Sequence, residues 1–144
     1  MKLQSIIIAA ALTGVMFSSC SNDSKLKALL KENEMDYPIE ITNQFVMESA
    51  KDDGEYVTYR YIYADSLYDP QSNTKRYGEE RVKTISLQAL RDNESSRPFF
   101  DAVVEAKRGL KYVYIGTPSG DSCAIVISPE EVAAAAESSK QIAD

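Results

Sequence analysis

Beyond residue 24 the apolar positions fall into short runs with two distinct periods. Leu26, Leu29 and Leu30 in SKLKALLKEN are spaced three and four apart, which predicts a short helix capped by Ser24 and broken at Pro38. Ile39, Ile41, Phe45 and Met47 then alternate and predict a strand with one buried face. The alternation is most regular in EYVTYRYIYA. It puts Val57, Tyr59, Tyr61 and Tyr63 on one face, and Tyr56, Thr58, Arg60 and Ile62 on the other. Lys51-Asp52-Asp53-Gly54 separates the two runs as a turn cluster, so they are expected to pair as a hairpin. Asp65 to Glu80 (DSLYDPQSNTKRYGEE) has no periodicity and reads as a long loop, with Tyr68, Lys75, Arg76 and Tyr77 available for contacts.

The second half repeats the two rhythms. Ile85, Leu87, Ala89 and Leu90 predict a short helix ending near Asn93. Phe99, Phe100, Val103 and Val104 form the stripe of the next helix, with Ser96 as cap, Pro98 in the first turn and Gly109 as stop. LKYVYIG and DSCAIVIS are strands joined by the tight TPSG turn. The second of these strands is apolar on both faces, the pattern of a central strand. Ser128-Pro129-Glu130-Glu131 is a capping box with proline at the first helical position, and it opens a C-terminal helix. The element order implies an α+β fold: an antiparallel sheet of about four strands in two hairpins, with helices packed on one face. Tyrosines at alternate positions after Gly54 and after Gly109 form a faint internal echo, which any half-buried strand would favour.

The first twenty residues follow neither rhythm. Lys2 is the only charge before Asp23, and Ile6 to Phe17 (IIIAAALTGVMF) is mostly apolar. This run is shorter than the roughly 20 residues a membrane span needs, and it has the layout of a secretory signal peptide. Phe17-Ser18-Ser19-Cys20 resembles the lipobox of bacterial lipoproteins, with Phe17 where leucine is commoner. The resemblance implies a signal peptide over residues 1–19, a diacylglyceryl (palmitate-type) anchor on the Cys20 thiol with a short tether over 20–25, and one α+β domain over 26–144. It also implies the bacterial cell envelope, with the domain held at the outer membrane and facing the periplasm or the surface. Two or three acyl chains hold a protein firmly, since each buried methylene contributes about 0.8 kcal/mol. The whole-chain pattern is similar to small envelope lipoproteins of the Bacteroides group. Asp65-Ser66-Leu67 resembles their O-glycosylation sequon, which would make Ser66 an acceptor.

Loss of residues 1–19 leaves 125 residues and moves the formal charge from -6 to -7. That is enough chain for one core. An acidic chain without a basic patch argues against nucleic acid as a partner. With Cys20 acylated, Cys123 has no intrachain partner and reads as a small buried hydrophobe within CAIVI.

The chain contains no histidine and no tryptophan, which removes the commonest general base and metal ligand and a common sugar platform. No sequence pattern points to a metal, a cofactor or a catalytic residue. Gly120-Asp121-Ser122 resembles the GDS motif of some serine hydrolases, yet it stands at a hairpin exit where those residues serve the turn. Asp52-Asp53, Glu79-Glu80 and Glu130-Glu131 are the acidic pairs that a glycosidase would need across a cleft. The stripe Tyr59, Tyr61, Tyr63, Tyr112 and Tyr114 is the candidate binding surface, with burial under the helices as the alternative. The expectation is a lipid-anchored, non-catalytic envelope protein that binds a protein or glycan partner. The rivals are a small carboxylate-dependent glycan-active enzyme and a purely structural envelope component.

Overall fold

The computed structural model describes residues 22–66 and 69–140. The described residues open in helix α1, which includes residues 22–34. It is followed by strands β1 (Ile39–Thr42), β2 (Phe45–Asp52) and β3 (Tyr56–Ala64), then helices α2 (Pro70–Tyr77), α3 (Glu79–Asp92) and α4 (Arg97–Glu105), then β4 (Gly109–Thr117), β5 (Ser122–Ile127) and α5 (Pro129–Lys140). The architecture is α+β, as the pattern implied. The sheet differs from the expectation: it has five strands in the order β1-β2-β3-β4-β5 and is mixed, because β3 and β4 run parallel.

The reason lies in the crossover. The two expected hairpins form, β2 with β3 and β4 with β5. Between them the chain passes through three helices and returns to lie beside β3, as a parallel pair requires. β3 and β4 share an unbroken register from Tyr56 opposite Gly109 to Ala64 opposite Thr117. The echo of alternate tyrosines is this register: Tyr59 faces Tyr112, and Tyr61 faces Tyr114. The run expected as one strand over Ile39 to Met47 is two, folded back at Asn43-Gln44 so that Ile39 pairs with Met47.

Asp65 to Glu80 is not a loop throughout. Asp69 accepts a hydrogen bond from the Gln71 amide at 2.9 Å and caps α2, Pro70 stands in its first turn, and Gly78 ends it with φ +83°. PQSNTKRY has no apolar stripe, so periodicity could not reveal it. The next helix starts at Glu79, well before Ile85. It buries Leu87 but leaves Ile85 exposed.

The stop of α4 is also relocated. Lys107 adopts φ +56°, and Arg108 and Lys107 donate to the Val103 and Val104 carbonyls at 3.0 and 3.1 Å. This is a Schellman ending with lysine in the position glycine usually holds. Gly109 is instead the first residue of β4. A Cβ there would lie 2.5 Å from the Ile127 carbonyl oxygen and 2.6 Å from the Tyr56 ring. Ser96 does not cap with its side chain; its hydroxyl donates to the Leu90 carbonyl at 2.9 Å. The capping box of α5 forms as expected: the Ser128 amide donates to Glu131 Oε2 at 2.7 Å, and the Glu131 amide to Ser128 Oγ at 3.2 Å.

The core lies on one face of the sheet. Val57, Leu110 and Ile127 sit side by side across three strands and meet Leu26 from α1, Phe100 and Val103 from α4 and Val132 from α5. All seven are less than 2% exposed. Each such burial contributes about 1.5–3 kcal/mol before chain entropy is subtracted. β5 proves to be an edge strand. Ser122, Ala124 and Val126 are exposed, so its second apolar face is open rather than covered.

Candidate functional site

The expected signal peptide and Cys20 fall on residues outside those described. Residues 22–25, inside the stretch read from the sequence as tether, are already helical. Asp23 in α1 is bound to Arg108 at 3.1 Å. The same guanidinium reaches Asp52 at the end of β2, Nε to Oδ1 at 2.9 Å, and donates to the Ala106 carbonyl at 2.7 Å. Asp23 of α1, the end of β2 and the α4–β4 connection are thereby gathered at one end of the sheet.

The tyrosine stripe lies on the helix-covered face. Tyr59 and Tyr112 stack with centroids 5.5 Å apart, and Tyr61 and Tyr114 at 5.1 Å. Phe45 from β2 extends the row, 5.4 Å from Tyr61 and nearly coplanar with it at 3°. Phe99 from α4 closes on Tyr59 edge-on at 5.9 Å. Tyr59 and Tyr112 pack directly against the core, and Tyr63 is buried. Tyr61, Tyr114 and Phe45 are half-buried. Burial pushes the phenols of Tyr59 and Tyr112 well above their ordinary range, and that of Tyr61 up to about 12. Phe45 and Phe99 belong to this cluster. The first was legible as an alternating apolar position; the second was legible only as a helix stripe.

The acidic pairs are dispersed, and all of their carboxylates but that of Glu130 have a recorded partner. Asp52 is held by Arg108. Asp53 accepts from the Glu55 and Tyr56 amides, which hold its carboxyl below the usual range. Glu79 and Glu80 both lie near Lys83, at 3.7 and 3.6 Å, and Glu131 contacts Lys83 at 3.2 Å. The Ser128 amide, assisted by Lys83, keeps the Glu131 carboxyl low. These displaced carboxyls move downward, the opposite of what a general acid needs. Among the described residues, no group of three or more acids and cysteines is arranged to hold a metal ion.

Gly120-Asp121-Ser122 serves its turn: Gly120 has φ +76°, and the Asp121 amide donates to Ser119 Oγ at 3.1 Å. Asp65 is locked to the same hairpin, accepting from the Ser119 amide and hydroxyl, both at 2.8 Å. It fills the space above Gly116, which has no side chain to obstruct it. Ser66, next to it, is exposed. Leu67 and Tyr68 lie outside the described residues. Tyr77 carries Arg76 and Arg81 over its ring at 5.3 and 5.9 Å. Cys123 is half-buried on the edge strand rather than enclosed, and burial raises its thiol pKa.

One concavity uses, of the candidate site residues above, only Asp52. It is an open groove of about 540 Å³ between α1 and the outer side of β2. Lys27, Leu30, Lys31 and Glu34 form the helix wall, and Glu48 to Asp52 the strand wall. Such a groove depends on two distant segments lying side by side, so nothing in the local pattern signals it.

No protein-family model matches the chain, and no curated protein is significantly similar to it in sequence. Among solved structures the fold is similar to that of a "putative secreted protein (PA3611)" from Pseudomonas aeruginosa, with a TM-score of 0.55 and 11% identity over 80% of this chain and 96% of that one. At that identity the likeness concerns the fold alone.

Proposed function

We propose that this chain is a lipid-anchored, non-catalytic protein of the bacterial cell envelope, held at the outer membrane through acylated Cys20, where its domain binds a protein or glycan partner. The observation that carries this reading is the place of Asp23. Three residues beyond Cys20, it is already helical and tied to Arg108. The chain is therefore part of the fold within three residues of the lipobox-like end, which suits a domain held close to its anchor. The similarity to a protein described as secreted agrees with export.

The non-catalytic part rests on the acids. Asp53, Asp92 and Glu131 are held in the charged form by amides and by arginine or lysine, which lowers their pKa and suits caps and clasps rather than proton transfer. The exposed position of Ser66 leaves its hydroxyl open to the O-glycosylation that the Asp65-Ser66-Leu67 resemblance implies.

The test is fractionation of cells expressing the wild type and Cys20→Ala, with an alkyne-tagged palmitate as metabolic label. The wild type is expected to be labelled and to sediment with outer membranes, and the variant to be unlabelled and soluble. Labelling that persists in the variant, or a wild type released without detergent, overturns the anchor.

A further inference from the structure

β1 covers only the first part of its neighbour: its partners on β2 are Phe45, Val46 and Met47. A bulge follows at Glu48, and β2 continues to Asp52. Over Glu48–Asp52 the described residues provide no strand on the outer side, so a row of backbone donors and acceptors faces the groove. An unpaired edge of this kind is a template for another strand.

The opposite wall is α1, and the space between is about 540 Å³, within the usual range of ligand sites. A free edge flanked by a helix is the geometry by which extended peptides are added to a sheet, with main-chain bonds on one side and side-chain contacts on the other.

Charge selects the occupant. Six charged residues line the groove: Lys27, Lys31, Lys51, Glu34, Glu48 and Asp52. Two of the acids are already engaged from outside it, Glu48 by Arg60 and Asp52 by Arg108. Among the described residues the three lysines form no ion pair, and all three are exposed. Glu34 is the one acid of the lining without a recorded ion pair among the described residues, so the charges left open to a ligand are mainly ammonium groups. Lys51 on the strand and Lys27 and Lys31 on the helix line both walls, so carboxylates on either face of an inserted strand would meet an ammonium group.

We propose that the groove between α1 and the Glu48–Asp52 edge of β2 captures an extended acidic segment of a partner protein, which joins the sheet as a sixth strand. This rests on the partner-binding reading above and names its surface and the chemistry of its ligand.

The experiment uses the full lipidated protein in detergent micelles and a fluorescein-labelled peptide of alternating glutamate and threonine or valine. Controls are the same peptide with lysine for glutamate, and one with alternate backbone amides methylated. Binding is read by anisotropy against wild type and the triple variant Lys27→Glu, Lys31→Glu, Lys51→Glu, whose sites are exposed and leave the core intact. The expected result is binding of the acidic peptide alone, lost on amide methylation and weakened at least about tenfold in the triple variant. Equal binding by both proteins overturns the groove but leaves partner binding in place elsewhere. No binding by the wild type overturns the groove, while the Cys20 fractionation decides the anchor separately. Self-association of the chain, or adsorption to phosphatidylglycerol vesicles, that the triple variant abolishes without any peptide binding also overturns it.

Discussion

Arg108 and Asp52 form a two-point clasp, Nε to Oδ1 at 2.9 Å and Nη2 to Oδ2 at 3.4 Å, with side chains only 12% and 7% exposed. Both charges have left most of their water, so each depends on the other. Arg108→Met is expected to cost about 3–5 kcal/mol, because it strands a buried carboxylate. Adding Asp52→Leu to that variant is expected to recover much of the loss. Urea unfolding of the two variants and the wild type at neutral pH checks both, and a double variant no more stable than Arg108→Met would refute the account.

Lys107 carries the left-handed turn that ends α4, at φ +56°. A Cβ in that conformation costs roughly 1 kcal/mol, which glycine avoids. Lys107→Gly is therefore expected to raise stability by about 0.5–1 kcal/mol and Lys107→Ala to change it little. The neighbouring Gly109→Ala is expected to destabilise by about 1–3 kcal/mol through crowding against Tyr56 and the Ile127 carbonyl. Thermal unfolding of the three variants tests the assignment of the two positions.

The tyrosine row makes the fold sensitive to alkali. Burial lifts the Tyr61 phenol from 10.0 to about 12 and pushes Tyr59 and Tyr112 further up. A group whose folded pKa is raised binds more protons when folded, so its stabilisation is complete below pH 10 and is lost as pH rises through the folded value. Tyr61 contributes on the order of 2 kcal/mol in this way. Phenolate absorbance is expected to show these tyrosines ionising only together with unfolding, at a pH well above the ordinary phenol value. Tyr61→Phe should lessen the alkaline loss of stability. Titration of all nine tyrosines in one step near the free value, with the fold intact, would contradict the buried row.

Ser128 and Glu131 close the capping box of α5 reciprocally. Ser128→Ala is expected to cost about 1 kcal/mol. Because the Glu131 carboxyl is held low, its contribution is present above the ordinary glutamate value and is lost as pH falls through the folded one. The stability gap between wild type and Glu131→Gln should therefore close in acid. Chemical unfolding at neutral pH and at acid pH provides the comparison.

Local chemistry settled the pieces that depend on neighbours in the chain. The capping box of α5, the stripe of α4, the Asp52-Gly54 turn and the alternation of β3 were all legible, because each follows from residues one to four apart. So was the α+β class. Where local chemistry was silent the reading failed: α2 has a cap but no apolar stripe, and Lys107 ends a helix without the glycine that would have marked it. What only the tertiary structure decided is how distant segments meet. The three-helix crossover lays β4 parallel to β3, and that choice makes β5 an edge strand. It also brings Tyr112 and Tyr114 beside Tyr59 and Tyr61 in one row. Likewise Asp23, Asp52 and Arg108 are ordinary surface charges in the sequence. They become a clasp because packing draws α1, β2 and the start of β4 to one end of the sheet, where removing water from one charge requires another to answer it.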